Sequence, residues 1–192
     1  GNYFRNGTYY HQVTQSNVTV QTNDGWNLVG VPLDISDSNY LSIFPDAVEG
    51  TLFEFVDNFY VQAFELIEGN GYWLRFSENG ETSISGLQIP SLEIDLDEGW
   101  NLITGLSESI SVMDIMDENE IIVPNSIYFY DGGYLPSDEL IPGSGYWLKA
   151  FESGTVTVDG NRRNGKSFSS DDTFGYLNSM DINGIRLYFG SL

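Results

Sequence analysis

Leu92-Glu-Ile94-Asp-Leu96 alternates apolar and acidic side chains, the period-two pattern of a strand with one face buried and the other in water. Val18-Thr-Val20 carries the same alternation earlier in the chain. A turn follows each, at Asn23-Asp24-Gly25 and Asp97-Glu98-Gly99, and the run over 26–33 is then apolar on both faces except at Asn27. Such a run predicts a strand covered on both sides. Ser36 to Ser38 and Ser109 to Ser111 supply caps for a short helix over 39–44 and another over 112–117, with Ser111 and Asp114 at the spacing of a capping box. Strands follow at 53–56 and 127–130, with hairpin residues Asp57-Asn58 and Asp131-Gly132-Gly133 after them. Further strands are predicted at 60–64, 72–76 and 82–85, with counterparts in the second half of the chain.

The pattern is written twice. Gly-Trp-Asn-Leu begins at Gly25 and again at Gly99, and Gly-x-Gly-Tyr-Trp-Leu begins at Gly69 and Gly143. The offset is the same for both motifs, 100 − 26 = 74 from Trp26 to Trp100 and 145 − 71 = 74 from Gly71 to Gly145. Between them Phe55/Phe129, Asp57/Asp131, Tyr60/Tyr134 and Glu65/Glu139 match without a gap. A fixed period of glycines, aromatics and aliphatics predicts a duplicated fold. The expected organisation is a lead-in at 1–15, repeat units at 16–90 and 91–165, and a tail with a C-terminal β-hairpin at 166–192. The fold class is mainly β, two tandem β-rich units of short strands with one short helix each, in a β-sandwich-like arrangement. The tail hairpin is expected to pair with the lead-in and so close a sheet edge.

Composition narrows the partners. With 28 acidic against 7 basic residues the net charge is −21, which repels nucleic acid and anionic membrane surfaces. No apolar run reaches the length of a membrane span, so no membrane insertion is expected. Cysteine is absent, which removes disulfides and cysteine-based zinc sites. The chain begins at Gly1 without an initiator Met, and is expected to be a fragment of a longer protein.

Candidate chemistry is sparse. His11 is the single histidine and lies in the polar lead-in, Pro142 occupies the position of the first Gly of a nucleophile elbow, and no pair of carboxylates stands out. No catalytic residue is assigned, and the expectation is a protein without enzyme activity, an enzyme built around His11 ranking third among the readings. Asp34, Asp37 and Asn39, and the acids of 114–120, cluster oxygen atoms, but neither stretch has EF-hand spacing, and capping acids explain both. No cofactor or metal site is assigned; calcium is the one ion these acids suit.

The aromatic motif offers more. Alternation along Gly71-Tyr72-Trp73-Leu74-Arg75 puts Trp73 on one face with Arg75, and Lys149 stands in the same relation to Trp147. A cation at both positions predicts a wet face, and Trp73, Arg75, Trp147 and Lys149 are the candidate ligand-binding residues, an aromatic platform for a sugar ring. The competing reading has these rings covering a satellite core or the seam between units. Trp26 and Trp100, in runs apolar on both faces, are expected to be core anchors. Asn27 and Asn101 are expected to hydrogen-bond the neighbouring turn, and the glycines of Gly-x-Gly to form a turn with positive φ.

With these motifs and the closing Gly-Tyr-Leu-Asn-Ser-Met-Asp-Ile-Asn-Gly-Ile-Arg-Leu-Tyr-Phe-Gly, the chain resembles repeat modules near the C-termini of large secreted proteins of the Bacteroidetes and Ignavibacteria group, whose terminal sorting domain is read by type IX secretion machinery. The resemblance implies an extracellular or cell-surface location. It implies a non-catalytic accessory and spacer module that interacts with neighbouring domains of the same chain. The alternative is a carbohydrate-binding module for a neutral polysaccharide. Thr104-Gly105-Leu106, where the first copy reads Gly30-Val31-Pro32, is the point at which the copies depart.

Overall fold

The structure, a computed structural model, describes residues 3–5, 8–10, 14–160, 178–182 and 185–189. It divides into two compact bodies, 1–161 and 162–192. In chain order the strands are β1 Tyr3–Arg5, β2 Thr8–Tyr10, β3 Gln15–Thr22, β4 Gly25–Val29, β5 Leu33–Asp34, β6 Phe53–Val56, β7 Phe59–Gln62, β8 Tyr72–Phe76 and β9 Gly80–Gln88. They continue as β10 Ser91–Leu96, β11 Gly99–Thr104, β12 Ile110–Ser111, β13 Ile115–Met116, β14 Tyr128–Tyr130, β15 Tyr134–Pro136, β16 Glu139–Leu140, β17 Gly145–Ala150 and β18 Gly154–Asp159. The smaller body contains β19 Asn178–Ile182 and β20 Ile185–Phe189, paired antiparallel with each other. The lead-in strand β1 pairs antiparallel with β2 in a hairpin of its own.

The protein is mainly β, and the duplication is visible in its topology. A four-stranded sheet ordered β4-β8-β6-β7 recurs as β11-β17-β14-β15, and the pair β3-β9 recurs as β10-β18, each with a short third strand of different origin, β5 from before the helical turn in the first copy and β13 from after it in the second. In each copy the two sheets enclose a core. Val20 and Ile84 from the first three-stranded sheet meet Tyr72, Leu74 and Phe76 of β8, and Ile94, Val156 and Val158 meet Tyr146 and Leu148 of β17. The short helix α1, Tyr40–Ile43, is capped by the Asn39 side chain, and its counterpart is a 3-10 turn at Val112–Asp114 capped by Ser111.

The caps expose a departure from the ungapped expectation. Ser111 caps where Asn39 caps, 111 − 39 = 72. Tyr128 pairs with Trp147 where Phe53 pairs with Trp73, 128 − 53 = 75. Tyr134 opposes Tyr130 where Tyr60 opposes Phe55, 134 − 60 = 74. The second copy has thus lost two residues before its helical turn, gained three in the following loop and lost one from the hairpin, which cancels at the motifs. The structural counterpart of Phe55 is therefore Tyr130; Phe129 packs against the opposite, core face. Deletions balanced between fixed anchors leave the anchor spacing unchanged, so the sequence match of Phe55 with Phe129 was fortuitous.

The motif asparagines do as expected. Asn27 donates to the Asn23 and Gly25 carbonyls (2.8 and 3.1 Å) and accepts from the Asn23 N–H (2.9 Å); Asn101 repeats all three bonds around Asp97 and Gly99. The turns they close need a residue tolerant of positive φ, and Gly25 and Gly99 sit at φ 91° and 101°.

The tyrosines of Gly-x-Gly-Tyr-Trp are buried hydrogen-bond acceptors: Ile67 N–H donates to the Tyr72 hydroxyl (3.1 Å) and Ile141 N–H to the Tyr146 hydroxyl (2.7 Å). Burial pushes both phenols above their ordinary acidity range, and the backbone bonds only partly oppose it. The neutral form is the one the fold favours, so this stability is present below the unfolded tyrosine value of about 10 and is lost as pH rises from there through the raised folded values. The urea midpoint is expected to fall between pH 9 and 11, and a Tyr72→Phe/Tyr146→Phe variant to show a flatter alkaline limb. Parallel limbs in the two proteins would refute this assignment.

Candidate functional site

The two copies meet across an approximate twofold axis, built by the repeated motifs. Gly30 N–H donates to the Gly143 carbonyl (3.1 Å) and Thr104 N–H to the Gly69 carbonyl (3.0 Å), a pair of bonds related by the 74-residue shift. Bridges Val29 to Ser144 and Asn70 to Ile103 form a second such pair. Gly69 and Gly143 have positive φ, 85° and 82°, as the sequence predicts. Gly71 and Gly145 serve a different purpose. A Cβ on Gly71 would stand 2.6 Å from the Ile103 carbonyl oxygen, and one on Gly145 2.8 Å from that of Val29, so only glycine lets the backbones approach.

Residues on such an axis meet their own counterparts. Gly30 corresponds to Thr104, and a Cβ on Gly30 would lie 2.3 Å from the Thr104 side chain. The divergence between Gly30-Val31-Pro32 and Thr104-Gly105-Leu106 is therefore complementary, one threonine filling the space its counterpart leaves, and Thr104 uses its hydroxyl to bond the Ser144 carbonyl (2.9 Å). Gly30→Thr is expected to destabilise by about 2 kcal/mol, in the range for overpacking. Thr104→Gly in the same chain should recover most of the loss in denaturant titration, and failure of that rescue would mean that the two side chains do not compete for one space.

At the seam Leu28, Trp73, Leu102 and Trp147 form a cluster with Phe53, Phe55, Tyr128 and Tyr130 packed against it. The rings meet edge to face: Trp73 with Tyr130 at 4.8 Å and Trp147 with Phe55 at 4.9 Å, each pair joining one copy to the other. Trp73 and Trp147 thus cover the seam, as the competing reading expects, and not a wet face, while the expected core position of Trp26 and Trp100 is overturned. Trp73 and Trp147 are only 9% and 8% exposed, whereas Trp26 and Trp100, expected in the core, are 43% and 40% exposed. The alternation was sound, because Trp26 pairs directly with Arg75 and Leu28 with Trp73, which places all four on one sheet face. That face is wet at the Trp26 end and dry where the other copy covers it. Cations accompany the outer tryptophans: Lys149 Nζ lies 5.8 Å from the Trp100 ring centroid, and Arg75 is the cross-strand neighbour of Trp26.

Between the exposed and the buried rings lie two clefts of about 420 Å³ each. One is lined by Trp26, Phe53, Tyr60, Trp73, Tyr130 and Tyr134. The other is lined by Trp100, Tyr128, Tyr134, Trp147, Phe55 and Tyr60. They are related by the same axis and share Tyr60 and Tyr134, from the exposed edge strands β7 and β15. Every lining residue is aromatic. Burial raises the Tyr134 phenol, and the Tyr60 phenol beside it adds to the effect. The Trp147 indole N–H is buried without a well-aligned acceptor; it lies close enough to the Tyr134 hydroxyl to oppose part of the rise in that phenol's acidity range.

Of the four sequence-assigned residues, Trp73 and Trp147 form the inner walls, and Arg75 and Lys149 lie toward the outer ends of the same faces. The open ring faces belong to Trp26 and Trp100, which sequence reasoning placed elsewhere. The acidic stretches are occupied with backbone: the Asp37 carboxylate accepts from Asn39 N–H (3.1 Å), and that of Asp117 from Ile121 and Ile122 N–H (2.9 and 2.8 Å). Among the described residues no group of three or more His, Asp or Glu converges as a metal site would require. His11 lies outside the described residues. No helix among them is long and apolar enough to cross a membrane. Compared with known protein families, with curated proteins and with solved structures, the chain has no match.

Proposed function

We propose that this chain is a non-catalytic interaction and spacer module of a secreted or cell-surface multidomain protein, and that its two aromatic clefts are its binding surface. The observation that carries this reading is the pair of open, axis-related clefts lined by nothing but rings. Chemistry needs a nucleophile, base or metal with orienting partners, and the one kind of acid–base group in these walls is the phenol of Tyr60, Tyr128, Tyr130 and Tyr134. The walls do supply flat apolar faces that a partner can cover. The resemblance to modules of large secreted proteins supports the same role, and a joined pair of copies with a close-packed seam suits a spacer that must transmit position between its neighbours. The carbohydrate alternative draws its support from the half-exposed faces of Trp26 and Trp100.

The test is a capture experiment with the full chain against immobilised glycans and peptides, repeated with Trp26→Ala/Trp100→Ala, alongside a panel of hydrolase substrates. The reading predicts no turnover and retention that depends on the two tryptophans. Turnover of any substrate that survives repurification, or retention indifferent to the double substitution, would overturn it.

A further inference from the structure

We infer that the paired clefts bind a proline-rich segment in the polyproline II conformation; this rests on the clefts being the binding surface. The argument is one of complementarity between what the walls offer and what a ligand must bring. The lining residues offer ring faces, phenol hydroxyls and indole N–H groups, and none carries a carboxylate or carboxamide. Arg75 and Lys149 on the same faces add only donors. The ligand that fits is therefore flat, apolar and rich in acceptors but poor in donors.

Three ligand classes stack on aromatic rings, and the walls distinguish them. A pyranose brings a hydroxyl donor at nearly every carbon, and each buried donor needs an acceptor that only the three phenols lining each cleft can supply. A quaternary ammonium ion would compete with the cation already in place, since Lys149 stands over Trp100 and Arg75 beside Trp26. A run of prolines has neither difficulty. Its pyrrolidine rings are apolar, its carbonyls accept, and it has no N–H to leave unsatisfied. The buried Trp147 indole N–H has only the poorly aligned Tyr134 hydroxyl near it, so an acceptor brought by the ligand would be better placed.

The arrangement of the clefts fits the same ligand. Polyproline II repeats every three residues with a rise of about 3.1 Å per residue, so successive turns present equivalent apolar ridges. Two adjoining clefts sharing Tyr60 and Tyr134 accept two such ridges from one segment of about six to ten residues. The segment is already extended before binding, so little ordering is required on a shallow surface. With a net charge of −21 the chain also attracts basic residues flanking the prolines, a contribution that salt screens.

The experiment titrates the full chain with a blocked decaproline peptide, the same peptide flanked by lysines, a Gly-Ser peptide of equal length, and cellohexaose, followed by tryptophan fluorescence and calorimetry. Saturable binding of both proline peptides is expected, tighter for the lysine-flanked one at low salt, with no binding of the Gly-Ser peptide. Trp26→Ala/Trp100→Ala should weaken it at least tenfold while circular dichroism and the unfolding midpoint show the fold retained; Tyr60→Ala/Tyr134→Ala, on exposed edge strands, is the second variant. Absence of saturable decaproline binding overturns the inference. So does peptide binding that both variants retain. Cellohexaose binding without peptide binding also overturns it, yet leaves the clefts as the binding surface and assigns them to glycans; loss of that surface role would show instead as capture indifferent to the tryptophan variant.

Discussion

Gly71→Ala and Gly145→Ala are each expected to cost about 3 kcal/mol or more, the upper part of the overpacking range, although neither glycine has an unusual backbone angle. The reason lies in what the added methyl meets. At Gly71 it would stand 2.6, 3.0 and 3.1 Å from three backbone atoms of Ile103, and at Gly145 2.8 and 3.1 Å from the carbonyl oxygen and nitrogen of Val29. A side chain can change rotamer; a backbone held in a ladder cannot move without its neighbours. Ile103 pairs with Tyr146 and Val29 with Tyr72, so relief must come by parting the two copies. Parting them breaks the Thr104 to Gly69 and Gly30 to Gly143 bonds and wets the tryptophan cluster. Because either substitution opens the same seam, the double variant should cost clearly less than the sum of the singles. Denaturant titrations of the three variants measure this. Additive losses, or single losses below about 1 kcal/mol, would show that the copies do not approach as closely as described.

Much of this fold is written in local chemistry and was legible as such. The alternation of 92–96 becomes β10, the Asp57-Asn58 pair takes the two positive φ values of a tight hairpin, and the motif asparagines close their turns. What the sequence does not announce is contact between copies. Gly71 and Gly145 resemble the turn glycines two residues before them, because the reason for their lack of a side chain lies about 30 residues away at Ile103 and more than 100 away at Val29. The burial of Trp73 is of the same kind. Periodicity shows that it shares a face with Arg75 and cannot show how far along that face the other copy reaches. The cations misled because they report on one end of the face only.

The seam also explains why aromatic residues are spent so freely here. A twofold contact brings each structural element against a face related to its own, and both faces of a duplicated chain begin alike. Large rings meeting edge to face tolerate that likeness: Trp26 stands perpendicular to Trp73, and Trp100 nearly so to Trp147. Where equivalent positions collide on the axis itself, the copies have had to diverge, as at Gly30 and Thr104. The clefts lie beside this contact, with walls from both copies, so whatever loosens the seam must also widen them.

Trp73→Ala and Trp147→Ala are accordingly expected to destabilise by about 3 to 5 kcal/mol each, the range for removing a large buried aromatic. Each substitution removes the wall that both its own Trp26 or Trp100 and a ring of the other copy rest upon, so the void opens at the seam. Trp26→Ala and Trp100→Ala should cost less than half as much, since a ring about two-fifths exposed surrenders little on truncation. Loss of binding should run in the opposite order relative to stability: the outer pair sacrifices affinity with the fold intact, and the inner pair sacrifices the fold first. Thermal and denaturant unfolding of the four single variants decides the matter. Larger losses at Trp26 and Trp100 than at Trp73 and Trp147 would return the outer pair to the core and remove the open walls on which the clefts depend.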